Sequence, residues 1–213
     1  MIDKNIEIQG NGIMKHHEHA KLVIKQQSEA LELLSRNIPE NFAAAIEYIL
    51  SHRGRVITCG IGKSGYIARK IAASLASTGT LAFFLHPAEA SHGDLGMISG
   101  DDIVLMLSNS GETKELFDVM LYCKRHGIPI MSMTSSSSSS LAQNSDFPLI
   151  LPNAPETSSI GAPTTSALMM LSLGDAIVTS LHESRGFSKG DFLQVHPGGK
   201  LGADLSLYSD PAS

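Results

Sequence analysis

Apolar residues recur along this chain in two rhythms, and the switch between them marks where the fold proper begins. Ala20, Val23, Ile24, Leu31 and Leu34, with Gln27 among them, fall at helical spacing and predict a long amphipathic first helix. Pro39 opens a second helix that carries Phe42, Ile46, Ile49 and Leu50 on one side. Beyond these, apolar residues come in short unbroken runs at 55–59, 81–85, 103–107, 128–133 and 147–151, and helical patterns occupy 64–78, 113–126 and 163–184. Runs without polar alternation belong to strands buried on both faces, and their interleaving with helices means a parallel sheet. The expected architecture is α/β, a three-layer α/β/α sandwich around a five-stranded parallel sheet, with two helices leading in. Those two helices carry more apolar surface than a short sheet covers, so part of it is expected at a subunit interface. Residues 1–14 show no period and contain Gly10 and Gly12, which predicts an extended or disordered arm.

Two loops stand where a strand gives way to a helix: Gly60-Ile61-Gly62-Lys63-Ser64-Gly65 and Ser108-Asn109-Ser110-Gly111-Glu112-Thr113. A turn of this kind aims backbone N–H groups, hydroxyls and the positive end of a helix dipole at one spot, which suits a phosphate. Two of them on one sheet meet at its carboxyl edge, where open α/β sheets bind ligands. The first loop has neither the four-residue spacer of a Walker A motif nor the complete spacing of a dinucleotide fingerprint. A glycine turn that serves packing alone is the competing explanation for it. The second loop has three hydroxyls, Ser108, Ser110 and Thr113, which a purely structural turn does not need. A phosphorylated small molecule is the expected ligand.

Composition narrows the field. At 213 residues, 42% hydrophobic and 17% charged, the chain makes one domain with a full core. No apolar run approaches the roughly 18 residues of a membrane span, and the first residues lack the pattern of a secretory leader. A formal net charge of −5 counts against nucleic acid or an anionic membrane as partner. Cys59 and Cys123 read as small core residues in a reducing cytoplasm rather than a disulfide.

Other polar residues have competing explanations. His16, His17 and His19 suit an exposed helix start better than a metal site. His86 and His92 flank a loop after strand 81–85, where a histidine can bond sugar hydroxyls or move protons. Glu112 and Glu115 are expected in the first turn of a helix, where they offset its dipole, and Glu115 can point back at a ligand. Glu156 lies in the irregular segment 152–163, and His196 precedes a glycine turn. The run Ser135–Ser140 reads equally as a set of ligand hydroxyls or as a solvated loop.

Six segments together resemble the sugar isomerase (SIS) family, and within it the arabinose 5-phosphate isomerases. They are Gly60-x-Gly-Lys63-Ser64-Gly65, Ala76-Ser77-Thr78-Gly79-Thr80, the stretch from His86-Pro87 to His92-Gly93-Asp94-Leu95-Gly96-Met97, Ser108-Asn109-Ser110-Gly111-Glu112, Ala162-Pro163-Thr164-Thr165-Ser166 and His196-Pro197-Gly198-Gly199. The resemblance implies an SIS domain over 15–203, a tail over 204–213 without the tandem CBS pair many relatives carry, and a cytoplasmic homotetramer with sites at subunit interfaces. It implies interconversion of D-ribulose 5-phosphate and D-arabinose 5-phosphate, the entrance to 3-deoxy-D-manno-octulosonate synthesis, with no cofactor. Carried over by position, the catalytic residues are Lys63, Glu115, Glu156 and His196. Substrate contacts fall on Ser64, Gly79, Thr80, His86 and His92, and the phosphate falls on Ser108, Asn109, Ser110 and Thr113. The histidine matching His86 binds zinc in relatives, though their activity does not need it. The segment Glu156–Pro163 departs from the family pattern and is one residue shorter, which leaves isomerisation of a hexulose or heptulose phosphate as an alternative. A sugar-phosphate-binding regulatory module is a further one, disfavoured because all four catalytic positions are kept.

Moving a proton between C1 and C2 through a cis-enediol takes a base near those carbons, proton exchange at O1 and O2, and a cation near the developing enediolate. Glu115 and Glu156 are equal candidates for the base, whose pKa is expected to be raised by partial burial. Lys63 suits the cation, and His196 or His92 the proton shuttle.

Overall fold

A computed structural model describes residues 4–196, with side chains from residue 14 onward. Helices α1 (Lys4–Arg36) and α2 (Phe42–Ser51) lead into β1 (Val56–Gly60), α3 (Gly62–Ser77), β2 (Ala82–Leu85), α4 (Pro87–Ala90), a 3-10 turn (Asp94–Met97) and β3 (Ile103–Leu107). The chain continues through α5 (Leu116–His126), β4 (Ile130–Thr134), α6 (Ser140–Gln143), β5 (Phe147–Ile150), α7 (Thr165–Arg185) and α8 (Lys189–Val195). The five strands form one parallel sheet in the order β2-β1-β3-β4-β5.

Alternation along β3 shows how the three layers arise from unbroken apolar runs. Ile103, Leu105 and Leu107 join one core with residues of α1, α2, α3 and α7, whereas Val104 and Met106 join the other with residues of α4 and α5. Each residue is apolar because each faces a helix layer. Cys59 and Cys123 both lie fully buried and free in the second core, where burial pushes each thiol up to about 12. They are inert packing residues, as expected.

The arm expected over 1–14 is not extended where it is described, because residues 4–14 belong to α1. A glycine inside a helix costs about 1 kcal/mol relative to alanine, too little at Gly10 and Gly12 to stop a helix propagating from the packed turns at Ala30 and Leu34. The short helices α4 and α8 were not expected; α4 lies in the segment 86–94 that was read as loop. Residues 197–213, which include the end of the expected domain and its tail, lie outside the described residues.

The amino edge of the sheet is tied by one buried carboxylate. Asp102, 2% exposed, accepts from Arg55 N and Nε at 2.9 Å, from Arg55 Nη2 at 2.6 Å and from Ser99 N at 2.7 Å. Burial pushes this carboxyl up, but the bonds from Arg55 and Ser99 outweigh it and bring it down to about 2. A depressed carboxylate stabilises the fold above its unfolded pKa and loses that contribution as pH falls through the folded value. The expected contribution is about 2 kcal/mol, reduced by water at the partly exposed Arg55. In urea unfolding, the stability gap between wild type and Asp102→Asn should therefore close between about pH 5 and pH 2. A gap that stays constant over that range would remove Asp102 from the account.

Candidate active site

The chain leaves β1 toward β2 on one side of the sheet and later builds β4 and β5 on the other side of β3. The carboxyl ends of β1 and β3 therefore flank the point where strand order reverses, and both expected phosphate loops sit there. In the first loop, a Cβ on Gly65 would lie 2.7 Å from the Gly60 carbonyl oxygen, and Gly62 takes φ +58. Packing accounts for Gly65 and backbone geometry for Gly62. Helix α3 begins without a side-chain cap, so its positive end faces the crevice, with Lys63 exposed and Ser64 partly buried beside it.

The second loop is stiffened from beneath. The hydroxyls of Ser108 and Thr113 bond at 2.8 Å, and Gly111 N donates to Ser108 Oγ at 3.0 Å. The Asn109 carbonyl accepts from Thr134 Oγ1 at 3.0 Å, Ser135 N at 3.0 Å and Ser135 Oγ at 2.8 Å. Leu141 N donates to the Gly111 carbonyl at 3.1 Å, and Ser140 N to a Glu112 carboxylate oxygen at 2.6 Å. The serine run thus frames the second loop, a role that neither the ligand-hydroxyl reading nor the solvated-loop reading contained. Ser110 and Asn109 stay exposed at the tip.

This bracing also changes where α5 starts. It begins at Leu116, so Glu112 and Glu115 do not occupy its first turn. Glu112 is engaged by Ser140, whose amide hydrogen bond holds its carboxyl below the usual range. Glu115 stands at the cap position, exposed, and makes no capping bond.

Glu156 departs furthest from expectation. One carboxylate oxygen accepts from Thr164 N at 2.7 Å, Thr164 Oγ1 at 2.9 Å, Thr165 N at 2.7 Å and Ser166 N at 3.4 Å, and the other accepts from Ser166 Oγ. It is the anion at the start of α7. Burial pushes this carboxyl up, but the bonds from Ser166, Thr164 and Thr165 prevail and hold it below the usual range, opposite to the raised pKa expected of a base. The signal was present in the sequence: hydroxyls at 164–166 behind Pro163 mark a helix start that wants an acceptor. Gly174 of α7 meets Ile71 of α3, each nine residues into its helix, so the two helices start level. Glu156 therefore lies one helix over from Lys63 and Ser64.

On the β2 side, His86 stands at the cap position of α4 without a capping bond, α4 replaces part of the expected loop, and His86 borders a cleft of about 120 Å³ with Gly60, Gly62, Gly65, Tyr66 and Arg69. Arg69 lies 3.9 Å over the Phe84 ring. Sequence reasoning passed over Tyr66 and Arg69, because an aromatic and an arginine on an amphipathic helix carry no distinctive spacing. His92 is exposed after α4, next to Ser91, whose hydroxyl donates to Asp118 of α5 at 2.7 Å.

Three expected site residues are elsewhere. Helix α3 spans 16 residues, about 24 Å, and so delivers Gly79 and Thr80 to the amino edge of the sheet. Thr80 is buried there and its hydroxyl accepts from Arg185 at 2.6 Å. Helix α7 runs the same way, and α8 beyond it presents His196, whose ring stacks on Phe192 at 3.8 Å with Nδ1 2.9 Å from the Phe192 carbonyl. Within one chain these three residues do not meet the loop Ser108–Thr113. The segment Pro197–Gly199 that follows lies outside the described residues.

The SIS domain family model matches residues 49–180. This chain belongs to the SIS domain family. It is 60% identical to the Rickettsia prowazekii protein RP505 over 88% of this chain and 59% of that protein. It is 47% identical to arabinose 5-phosphate isomerase KdsD of Pseudomonas aeruginosa over 88% of this chain and 58% of that protein. The chain thus spans under two thirds of the length of these curated relatives. The solved structure of E. coli CFT073 c3406 in complex with arabinose 5-phosphate matches with a TM-score of 0.82 and 39% identity, covering 88% of this chain and 98% of that one.

Inside this SIS domain, the carboxyl edge brings together Lys63, Ser64, His86, Ser108, Asn109, Ser110, Thr113, Glu115 and Glu156. A zinc ion at His86 has one point in its favour: its Nδ1 is buried without a hydrogen-bond partner among the described residues. Those residues, however, contain no group of three His, Cys, Asp or Glu able to hold a metal, so the ligand set around His86 is incomplete among them. No helix among them is long and apolar enough to cross a membrane.

Proposed function

We propose that this chain interconverts D-ribulose 5-phosphate and D-arabinose 5-phosphate through a cis-enediol, supplying 3-deoxy-D-manno-octulosonate synthesis in the cytoplasm. The observation that carries this is the braced hydroxyl loop at the strand-order reversal, in a chain similar over 88% of its length to a protein solved with arabinose 5-phosphate bound. The phosphate lies on Ser108–Thr113, with Ser110 Oγ and the loop amides as donors. The sugar extends over Gly60 toward His86 and His92, and Ser64 and Lys63 at the start of α3 face its reacting end. Glu115 takes the proton from C2 of the aldose, or from C1 of the ketose, and returns it to the neighbouring carbon. Lys63 stabilises the enediolate oxygen that this creates. Glu156 fixes the start of α7 beside Lys63 instead of acting as the base.

We further infer that the assembly is a homotetramer in which a second copy supplies Gly79, Thr80 and His196. The separation of these residues from the phosphate loop along α3 supports this, as does the partly exposed apolar surface of α1, where Leu22 is 52% and Ile24 65% exposed. His196 then serves O1 and O2 as proton shuttle.

Following ribulose 5-phosphate by NMR tests the assignment. Arabinose 5-phosphate is the expected product; turnover confined to a hexulose or heptulose phosphate would change the substrate, and tight binding without any turnover would make the chain a sensor. Ser110→Ala removes a donor to a charged group, worth about 1.5–3 kcal/mol, so KM should rise roughly ten- to a hundredfold. An unchanged KM would move the phosphate off this loop.

A further inference from the structure

We propose that Arg185 is a positioning residue of the site, holding the turn Gly79–Thr80 in register with the segment that carries His196; this rests on the isomerase reading of those three residues. Arg185 lies in the last turn of α7. A basic side chain there ordinarily serves the carbonyls of its own helix end. Those of His182 and Glu183 are instead taken by the amides of Phe187 and Gly186, with Gly186 in the left-handed conformation at φ +64. The guanidinium turns outward to other segments. Its Nη1 donates to the Gly79 carbonyl at 3.2 Å and to Thr80 Oγ1 at 2.6 Å, and Nη2 reaches the Ile49 carbonyl in α2 at 3.5 Å.

The neighbouring residue completes the grip. A Cβ on Gly79 would lie 2.5 Å from the Phe187 ring, so Phe187 closes the face of the turn that a side chain would otherwise occupy, and Gly79 takes φ +87. One residue later Ser188 starts α8 through a reciprocal capping box with Asp191, and α8 ends at His196. A single covalent run from Arg185 to His196 thus clamps the turn at one end and presents the histidine at the other. Arg185 also fixes the role of Thr80: a hydroxyl that accepts from a guanidinium keeps its own proton for donation. Three bonds to two segments, the Gly79–Thr80 turn and α2, suit a planar fork, which a lysine ammonium does not reproduce.

The full chain is assayed with ribulose 5-phosphate as Arg185→Met, Arg185→Lys, Thr80→Val and the Arg185→Met/Thr80→Val pair, with thermal unfolding measured alongside. A displacement on the order of 1 Å predicts a roughly ten- to hundredfold loss of kcat/KM in Arg185→Met, carried mainly by kcat. Arg185→Lys should recover only part of it, and low-millimolar guanidinium should restore some activity to Arg185→Met. The double variant should lose less than the product of the two single losses, since both changes cut the Arg185–Thr80 link while Thr80→Val also removes a hydroxyl of the site. A lowered Tm with wild-type kcat and KM in both Arg185 variants would make the residue purely structural and overturn the proposal. Should Arg185→Met fail to fold, wild-type kinetics in Arg185→Lys would overturn it equally. A wild-type chain that isomerises no sugar phosphate overturns the underlying reading and this proposal with it, whereas active wild type with unaffected Arg185 variants overturns this proposal alone.

Discussion

Glu115→Gln should lower kcat by about two to four orders of magnitude with little change in KM, while Glu156→Gln should act first on stability. The two carboxylates began as equals in the sequence; their surroundings separate them. To take a proton from carbon, Glu156 would have to surrender bonds from Thr164, Thr165 and Ser166 that already hold its charged form. Those same bonds make it a cap: Glu156→Gln keeps the shape but loses the charge, at an expected cost of about 1–3 kcal/mol and a fall in Tm of a few degrees. The sign with pH follows, because a carboxylate held below its usual range stabilises α7 above the unfolded pKa and releases it as acid is added. Glu115 bears no such load, exposed at the cap position of α5 two residues beyond the braced loop Ser108–Thr113. If Glu156→Gln loses turnover at unchanged Tm while Glu115→Gln keeps it, the assignment is reversed. If both variants stay active, the base is a histidine, with His196 first to test.

The strands were legible because burial on both faces leaves an unmistakable pattern: Ile103–Leu107 is apolar at every position since odd and even residues meet different helix layers. The second loop stood out for a chemical reason, its surplus of hydroxyls. What supports it did not. That Ser135 braces Asn109, and Glu112 engages Ser140, depends on β3 and β4 being neighbours, and adjacency of strands is not written in either segment. The placement of Gly79 and Thr80 was recoverable in principle, since a helix that follows a strand carries the chain back across the sheet. The raised pKa expected for Glu156 failed for a related reason: burial alone raises a carboxyl, and the opposing donors came from a helix start eight residues away.

Two inactive variants should restore each other. Glu115→Gln damages the carboxyl-edge half of the site and His196→Gln the amino-edge half, so if each site draws these halves from two chains, mixed assemblies contain some sites with both halves intact. With random mixing of equal amounts, about one site in four is whole, and activity should return from near zero to roughly a quarter of wild type. The partners must be unfolded and refolded together, or co-expressed, for subunits to exchange. The matched control mixes Glu115→Gln with Lys63→Met, both on the carboxyl edge of one chain; every site then lacks one group or the other, and no recovery is expected. The contrast is large because it depends on whole sites rather than on partial effects. Recovery in the control as well would mean that the carboxyl edge is itself shared between chains. No recovery in the first mixture, with exchange verified by native mass spectrometry, would return His196 to the same chain as Glu115 and require α8 to move across the roughly 24 Å length of α3 to reach it.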